Sequence, residues 1–91
     1  MTTRYRAHPE LRLTALEGEG VVLHLGTRRY FSVNETGLAI LEAIKPSATL
    51  AEIGAALVAR FQVTPDKAEQ SARLFLDRCL AAKLVIEDRG E

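Results

Sequence analysis

The sequence predicts an α+β domain in which a three-stranded antiparallel sheet is followed by three helices. Three observations predict it. Apolar and polar residues alternate through the first third of the 91 residues, apolar residues recur at steps of three and four through the rest, and each helical stretch opens on a capping residue. A hydrophobic content of 47% with 26% charged residues is that of an ordinary globular chain. At this length a single small core absorbs most of the large apolar side chains, which argues for one domain over residues 1–91 with its core at about 11–86.

Leu11, Leu13 and Ala15 alternate with Arg12 and Thr14, and Val21, Leu23 and Leu25 alternate with Val22 and His24. A period of two marks half-buried strands, and Glu17-Gly18-Glu19-Gly20 between them reads as a turn. In this phase His24 points outward beside Val22. After a second break at Gly26-Thr27, the run Arg28-Arg29-Tyr30-Phe31-Ser32-Val33 is rich in aromatic and β-branched residues and completes a meander.

The first helix starts either at Asn34, whose side chain suits the cap, or at Ser32 with Glu35 as a capping box. Its stripe of Leu38, Leu41 and Ile44 ends before Pro46. Thr49-Leu50-Ala51-Glu52 is a second capping box, followed by Ile53, Leu57 and Phe61 at helical spacing. Thr64-Pro65 opens the third helix, with a proline where a missing N–H is harmless. Ala68, Ala72, Phe75, Leu76 and Cys79 share one of its faces. Leu84-Val85-Ile86 is a short extended tail, and Arg89-Gly90-Glu91 is expected to fray. Three convergent helical stripes covering one face of a small meander make a winged-helix type of packing.

Function classes are narrowed mainly by what is missing. No apolar run reaches the roughly 18 residues of a membrane span, and the first ten residues lack the apolar segment of a secretion signal, so a cytoplasmic protein without a membrane partner is expected. Twelve basic residues balance twelve acidic ones, which weighs against nucleic acid as a partner. Neither a serine elbow nor a His or Cys pair at ligand spacing is present, so no catalytic residue, no metal and no cofactor is expected. The single cysteine, Cys79, falls on the apolar stripe of the third helix and reads as a buried, unreactive thiol.

The feature with functional content is the third strand. If Arg28 to Val33 is an edge, its unpaired backbone groups can accept an extended peptide as a further strand. The same edge could equally accept a second copy of the chain, giving a homodimer.

The run Arg29-Tyr30-Phe31-Ser32-Val33-Asn34-Glu35-Thr36-Gly37, followed by Ile40-Leu41, resembles the aromatic-x-Leu-Asn-Glu-Thr-Gly segment of PqqD-like proteins. The likeness continues through Thr49-Leu50-Ala51-Glu52-Ile53, Arg60-Phe61-Gln62-Val63, Phe75-Leu76 and Leu84-Val85, nearly the whole chain. Two positions depart from the pattern. Val33 stands where Leu is commoner, and Lys83 stands where Gly often precedes the closing Leu-Val, so Lys83 is expected to avoid the left-handed turn that Gly allows.

The resemblance implies a non-catalytic RiPP recognition element, a winged-helix domain that binds the leader of a ribosomally made precursor peptide. The segment Gly26 to Phe31 is more similar to lasso-peptide or generic members than to the pyrroloquinoline quinone branch. On this likeness the leader adds to the third strand at Arg28, Arg29, Tyr30, Phe31 and Ser32. The third helix borders it with Arg73, Leu76, Asp77 and Leu80, Leu74 being the rival anchor on another flank. The implied partners are a leader peptide and a separate modifying enzyme, either a protease and cyclase or a radical SAM enzyme. The competing reading is a winged-helix DNA-binding regulator that uses Arg28-Arg29 and the last helix.

Overall fold

The computed structural model describes residues 2–89. Its central sheet is the expected meander: β2 (Leu11–Leu16), β3 (Glu19–His24) and β4 (Arg29–Asn34) lie in the order β2-β3-β4. Only Glu17 and Gly18 turn the first hairpin, Gly18 at φ +73°, so Glu19 and Gly20 belong to the strand instead of the turn. Arg28 is likewise not in a strand. It closes the β3–β4 turn at φ +59°, and β4 begins one residue later.

Three helices follow, α1 (Glu35–Ala43), α2 (Leu50–Arg60) and α3 (Pro65–Ala81). Asn34 is the cap of α1, its side chain accepting from the Gly37 N–H at 2.9 Å. In the α2 box, the Glu52 N–H donates to Thr49 Oγ1 and the Thr49 N–H donates to the Glu52 carboxylate, at 3.1 and 2.8 Å. Thr64 caps α3 through the Lys67 N–H. Each cap supplies an acceptor to an amide that the helix itself leaves unpaired.

A second small sheet was not foreseen. β1 (Thr3–Ala7) pairs on one side with the two-residue β5 (Ala48–Thr49) and on the other with β6 (Val85–Arg89), so the extended tail is a strand that reaches Arg89. Gly90 and Glu91, also expected to fray, lie outside the described residues. Thr-Arg-Tyr-Arg-Ala alternates as a strand should, with Tyr5 and Ala7 packed against the core. Arg4 and Arg6 on its other face hold Glu52 at 3.0 Å and Asp88 at 2.7 Å. This sheet ties β1 to β6, and Tyr5 and Ala7 add to the packing ahead of Leu11.

The core is centred on α1, where Ile40 and Leu41, with Ile44 at the C-cap, are sealed from solvent together with Val22, Ile53, Leu57 and Leu76. Val22 and His24 therefore face inward, contrary to the phase expected for β3, while Val21 and Leu23 lie half-buried on the opposite face. Apolar residues occupy both faces of β3, so alternation alone does not choose between them. The register decides, setting Gly20 opposite Val33 and Val22 opposite Phe31 beneath α1.

Lys83 also departs from expectation, adopting the left-handed conformation at φ +61°. The Lys83 N–H donates to Leu80 O and the Leu84 N–H to Cys79 O, at 3.1 and 2.9 Å. These two bonds form a Schellman motif that ends α3 and turns the chain into β6. The gain in backbone bonding outweighs the steric cost of a side chain in that conformation.

Candidate functional site

The outer edge of β4 is unpaired, because β4 is the last strand of its sheet among the described residues. Its side chains split by parity. Phe31 and Val33 point toward the core side and are half-buried, whereas Tyr30, 73% exposed, stands on the outer face. Next to this edge lies an open cleft of about 260 Å³ floored by Phe31, Val33, Phe75, Cys79 and Leu84, with Ser32, Arg78 and Ala82 around it. It continues past Phe75 and Arg78 into a second depression between α1 and α3, bordered by Asn34, Gly37, Ser71 and Leu74.

Two local features shape this surface. Phe75 projects from α3 into the angle between α1 and β4, and Gly37 makes room for it: a Cβ there would lie 2.8 Å from Phe75 Cε1 and 3.2 Å from Val33 Cβ. The Asn-Glu-Thr-Gly segment thus performs two tasks, with Asn34 capping α1 and Gly37 admitting the ring that floors the cleft. The second feature is the turn leading into β4. His24 Nδ1 accepts from the Gly26 and Thr27 N–H groups at 3.1 and 3.2 Å, and its ring packs 4.5 Å from that of His8. At 4% exposure His24 is a buried turn-former, not the surface residue expected from sequence.

Cys79 lines the cleft but is 3% exposed, and burial pushes its thiol up to about 12. At neutral pH it is a protonated apolar contact, not a nucleophile. Among the described residues, no group of three His, Cys, Asp or Glu side chains is placed to hold a metal ion. No helix of the described residues is long and apolar enough to cross a membrane.

Of the residues singled out from sequence, Phe31 and Ser32 line the cleft. Tyr30 and Arg29 lie on the same edge strand, and Arg28 sits in the turn before it. The four expected from α3 do not border the cleft. Leu76 is 1% exposed and belongs to the core, Leu80 packs half-buried against that core, and Arg73 and Asp77 are exposed. Helical phase is the reason. The flank bearing Glu69 and Arg73 is turned toward α2, where Glu69 closes on Gly54, whereas Ser71, Phe75, Arg78 and Ala82 on the other flank face α1 and β4.

Leu74, the rival anchor, does border the second depression and is 59% exposed. Sequence reasoning missed Ala82, placed Arg78 only in a basic patch of the DNA-binding reading with Arg28, Arg29 and Arg73, and treated Phe75 and Cys79 only as core. The signal pointing to them is their common spacing of three and four along α3 on the flank beside the stripe.

A family model for coenzyme PQQ synthesis protein D (PqqD) matches residues 19–85, spanning β3, β4 and all three helices. The chain belongs to the PqqD family. It is a PqqD-like domain of the RiPP recognition element kind, and two solved structures share its fold. One, TbiB1 in complex with the TbiA(beta) leader peptide, is 25% identical and aligns over 94% of this chain and 99% of that one, with a TM-score of 0.77. The other, lasso peptide synthetase B1 complexed with the leader peptide, is 17% identical over 90% of this chain and 96% of that one, with a TM-score of 0.71. No curated protein matches the chain.

Proposed function

We propose that this PqqD-like domain is a non-catalytic adaptor that binds the leader of a ribosomally synthesised precursor peptide and presents the precursor to a separate modifying enzyme. The observation that carries this reading is the unpaired edge of β4 running beside an apolar cleft. An extended peptide that pairs with β4 satisfies backbone groups on both chains. Alternate side chains of the peptide then enter the cleft over Phe31, Val33 and Phe75. The likeness to TbiB1, solved with a leader peptide bound, supports a leader as the occupant.

The adaptor's contribution to catalysis is local concentration. Holding the leader brings the rest of the precursor to the enzyme at an effective concentration set by the connecting chain, in the millimolar range for short flexible connections. The resemblance of Gly26 to Phe31 to lasso-peptide members favours a protease with a cyclase as the modifying enzyme, in preference to a radical SAM enzyme. The buried, protonated Cys79 fits a binding role for the cleft.

Fluorescence anisotropy of labelled leader peptides from precursor genes neighbouring this one tests the reading, run on the full chain at two salt concentrations. Saturable binding that changes little with salt is expected. Failure of every leader, with steeply salt-dependent binding of duplex DNA, would favour the regulator reading instead. Sedimentation across the same protein concentrations reports whether copies pair through β4 and compete with the peptide.

A further inference from the structure

We infer that Arg78 selects the bound peptide by charge, taking the carboxylate of an Asp or Glu that the leader presents between two apolar side chains. The inference rests on the peptide-binding reading above and names the ligand chemistry at that same cleft. Arg78 borders both halves of the cleft and, among the described residues, is the only charged one that lines either half, with no carboxylate beside it in the lining. Everything else there is apolar or neutral and polar.

Among the described residues the guanidinium has no partner of its own. Arg4, Arg6 and Arg60 are each paired with a carboxylate, and Arg12 donates to backbone carbonyls, but Arg78 makes no side-chain hydrogen bond or ion pair among the described residues. Its helical neighbours explain why. The residues three and four positions away are Leu74, Phe75, Ala81 and Ala82, none of them acidic, and the adjacent Asp77 lies about 100° round the helix, off the cleft. An unpaired cation beside apolar walls binds a carboxylate through a charge-assisted, often bidentate contact, and does so more strongly as the peptide excludes water.

In an added strand, side chains at alternate positions face one way. The cleft therefore calls for a carboxylate at one cleft-facing position, with apolar side chains at cleft-facing positions around it, one over Phe31 and Phe75 and one toward Leu74. A simpler role for Arg78 also exists, since a cation in the last turn complements the helix dipole. That role affects stability and is indifferent to the peptide, so the two are separable.

The test is a display selection of random 14-residue peptides on the full chain and, in parallel, on Arg78→Glu and Arg78→Gln. Each variant is first checked by thermal melting, and each selected peptide is re-measured on whichever of Phe31→Pro and Tyr30→Pro keeps the circular dichroism of the parent, so that only edge-dependent binders are scored. The expected result is Asp or Glu enriched at one position among wild-type binders. Those peptides should weaken by about tenfold or more on Arg78→Glu, and that variant should select Lys or Arg at the same position. Edge-dependent binders without an acidic preference would overturn the inference and leave the peptide-binding reading standing. If no selected peptide depends on the β4 edge, both fail.

Discussion

Gly37→Ala perturbs the fold and the cleft through one contact. The position is the third residue of α1, where alanine is favoured over glycine by about 0.5–1 kcal/mol on backbone grounds alone. Against this, the new methyl would sit 2.8 Å from Phe75 Cε1 and 3.2 Å from Val33 Cβ. The first distance is about 0.7 Å inside the closest comfortable carbon separation of about 3.5 Å. Overpacking of that kind costs about 1–3 kcal/mol, so subtracting the backbone gain leaves a net loss of about 0–2.5 kcal/mol, with roughly 4–8 °C in Tm for each kcal/mol in a domain of this size. The ring's open side is the cleft, because Phe75 borders both halves of it.

Relief of the overlap therefore moves the ring into the space that the peptide needs, and binding should fall by more than the stability loss explains. Urea unfolding and anisotropy with an edge-dependent peptide measure the two effects on one preparation. Phe75→Leu in the Gly37→Ala background should recover stability, since it removes the atoms in conflict, and the two substitutions should be strongly non-additive. A Gly37→Ala protein as stable as the parent, with unchanged affinity, would refute the role assigned to this glycine.

Four further outcomes follow from the same structure. Ladder amides alternate in direction along β4, so proline at one of Tyr30 and Phe31 should abolish peptide binding in a folded protein while proline at the other also breaks the β3–β4 pairing; circular dichroism with anisotropy separates them, and a folded pair that both bind would sink strand addition. Lys83→Gly should raise stability by about 0.5–1 kcal/mol in chemical denaturation, because glycine removes the left-handed penalty of about 1–2 kcal/mol but adds unfolded-state entropy. Leu76→Ala should lower stability by about 2–5 kcal/mol, as expected of a core residue 1% exposed, and a near-neutral result would return Leu76 to the surface. The Thr49 N–H, and to a lesser degree Arg4, hold the Glu52 carboxyl below its ordinary value of 4.5. A lowered folded-state value gives stability that is complete above 4.5 and lost as pH falls through the folded value, so Glu52→Gln should flatten the acid limb of stability against pH.

Local chemistry made much of this domain legible in its sequence. The caps at Asn34, Thr49 and Thr64, the proline at position 65 and the three- and four-residue stripes behind them place all three helices, because each signal acts within a few residues of the element it starts. The meander was legible for the same reason, and its last strand, as an edge, contains the cleft-lining Phe31 and Ser32.

Relations between distant segments were decided only by the tertiary structure. β1 is a strand because β6, about eighty residues later, pairs with it, and nothing within Thr-Arg-Tyr-Arg-Ala announces that partner. The inward face of β3 was settled by α1 packing over Gly20 and Val22, since both faces of the strand carry apolar residues. Lys83 accepts a left-handed backbone because Leu80 and Cys79 offer carbonyls at the end of α3, a gain that residue type alone does not show. The rotation of α3 about its own axis follows from how closely it meets α2 at Gly54 and α1 at Gly37. Those two contacts turn Phe75 and Arg78 toward β4 and Arg73 and Asp77 away from it, because helical periodicity specifies which residues share a face and only packing specifies what that face meets.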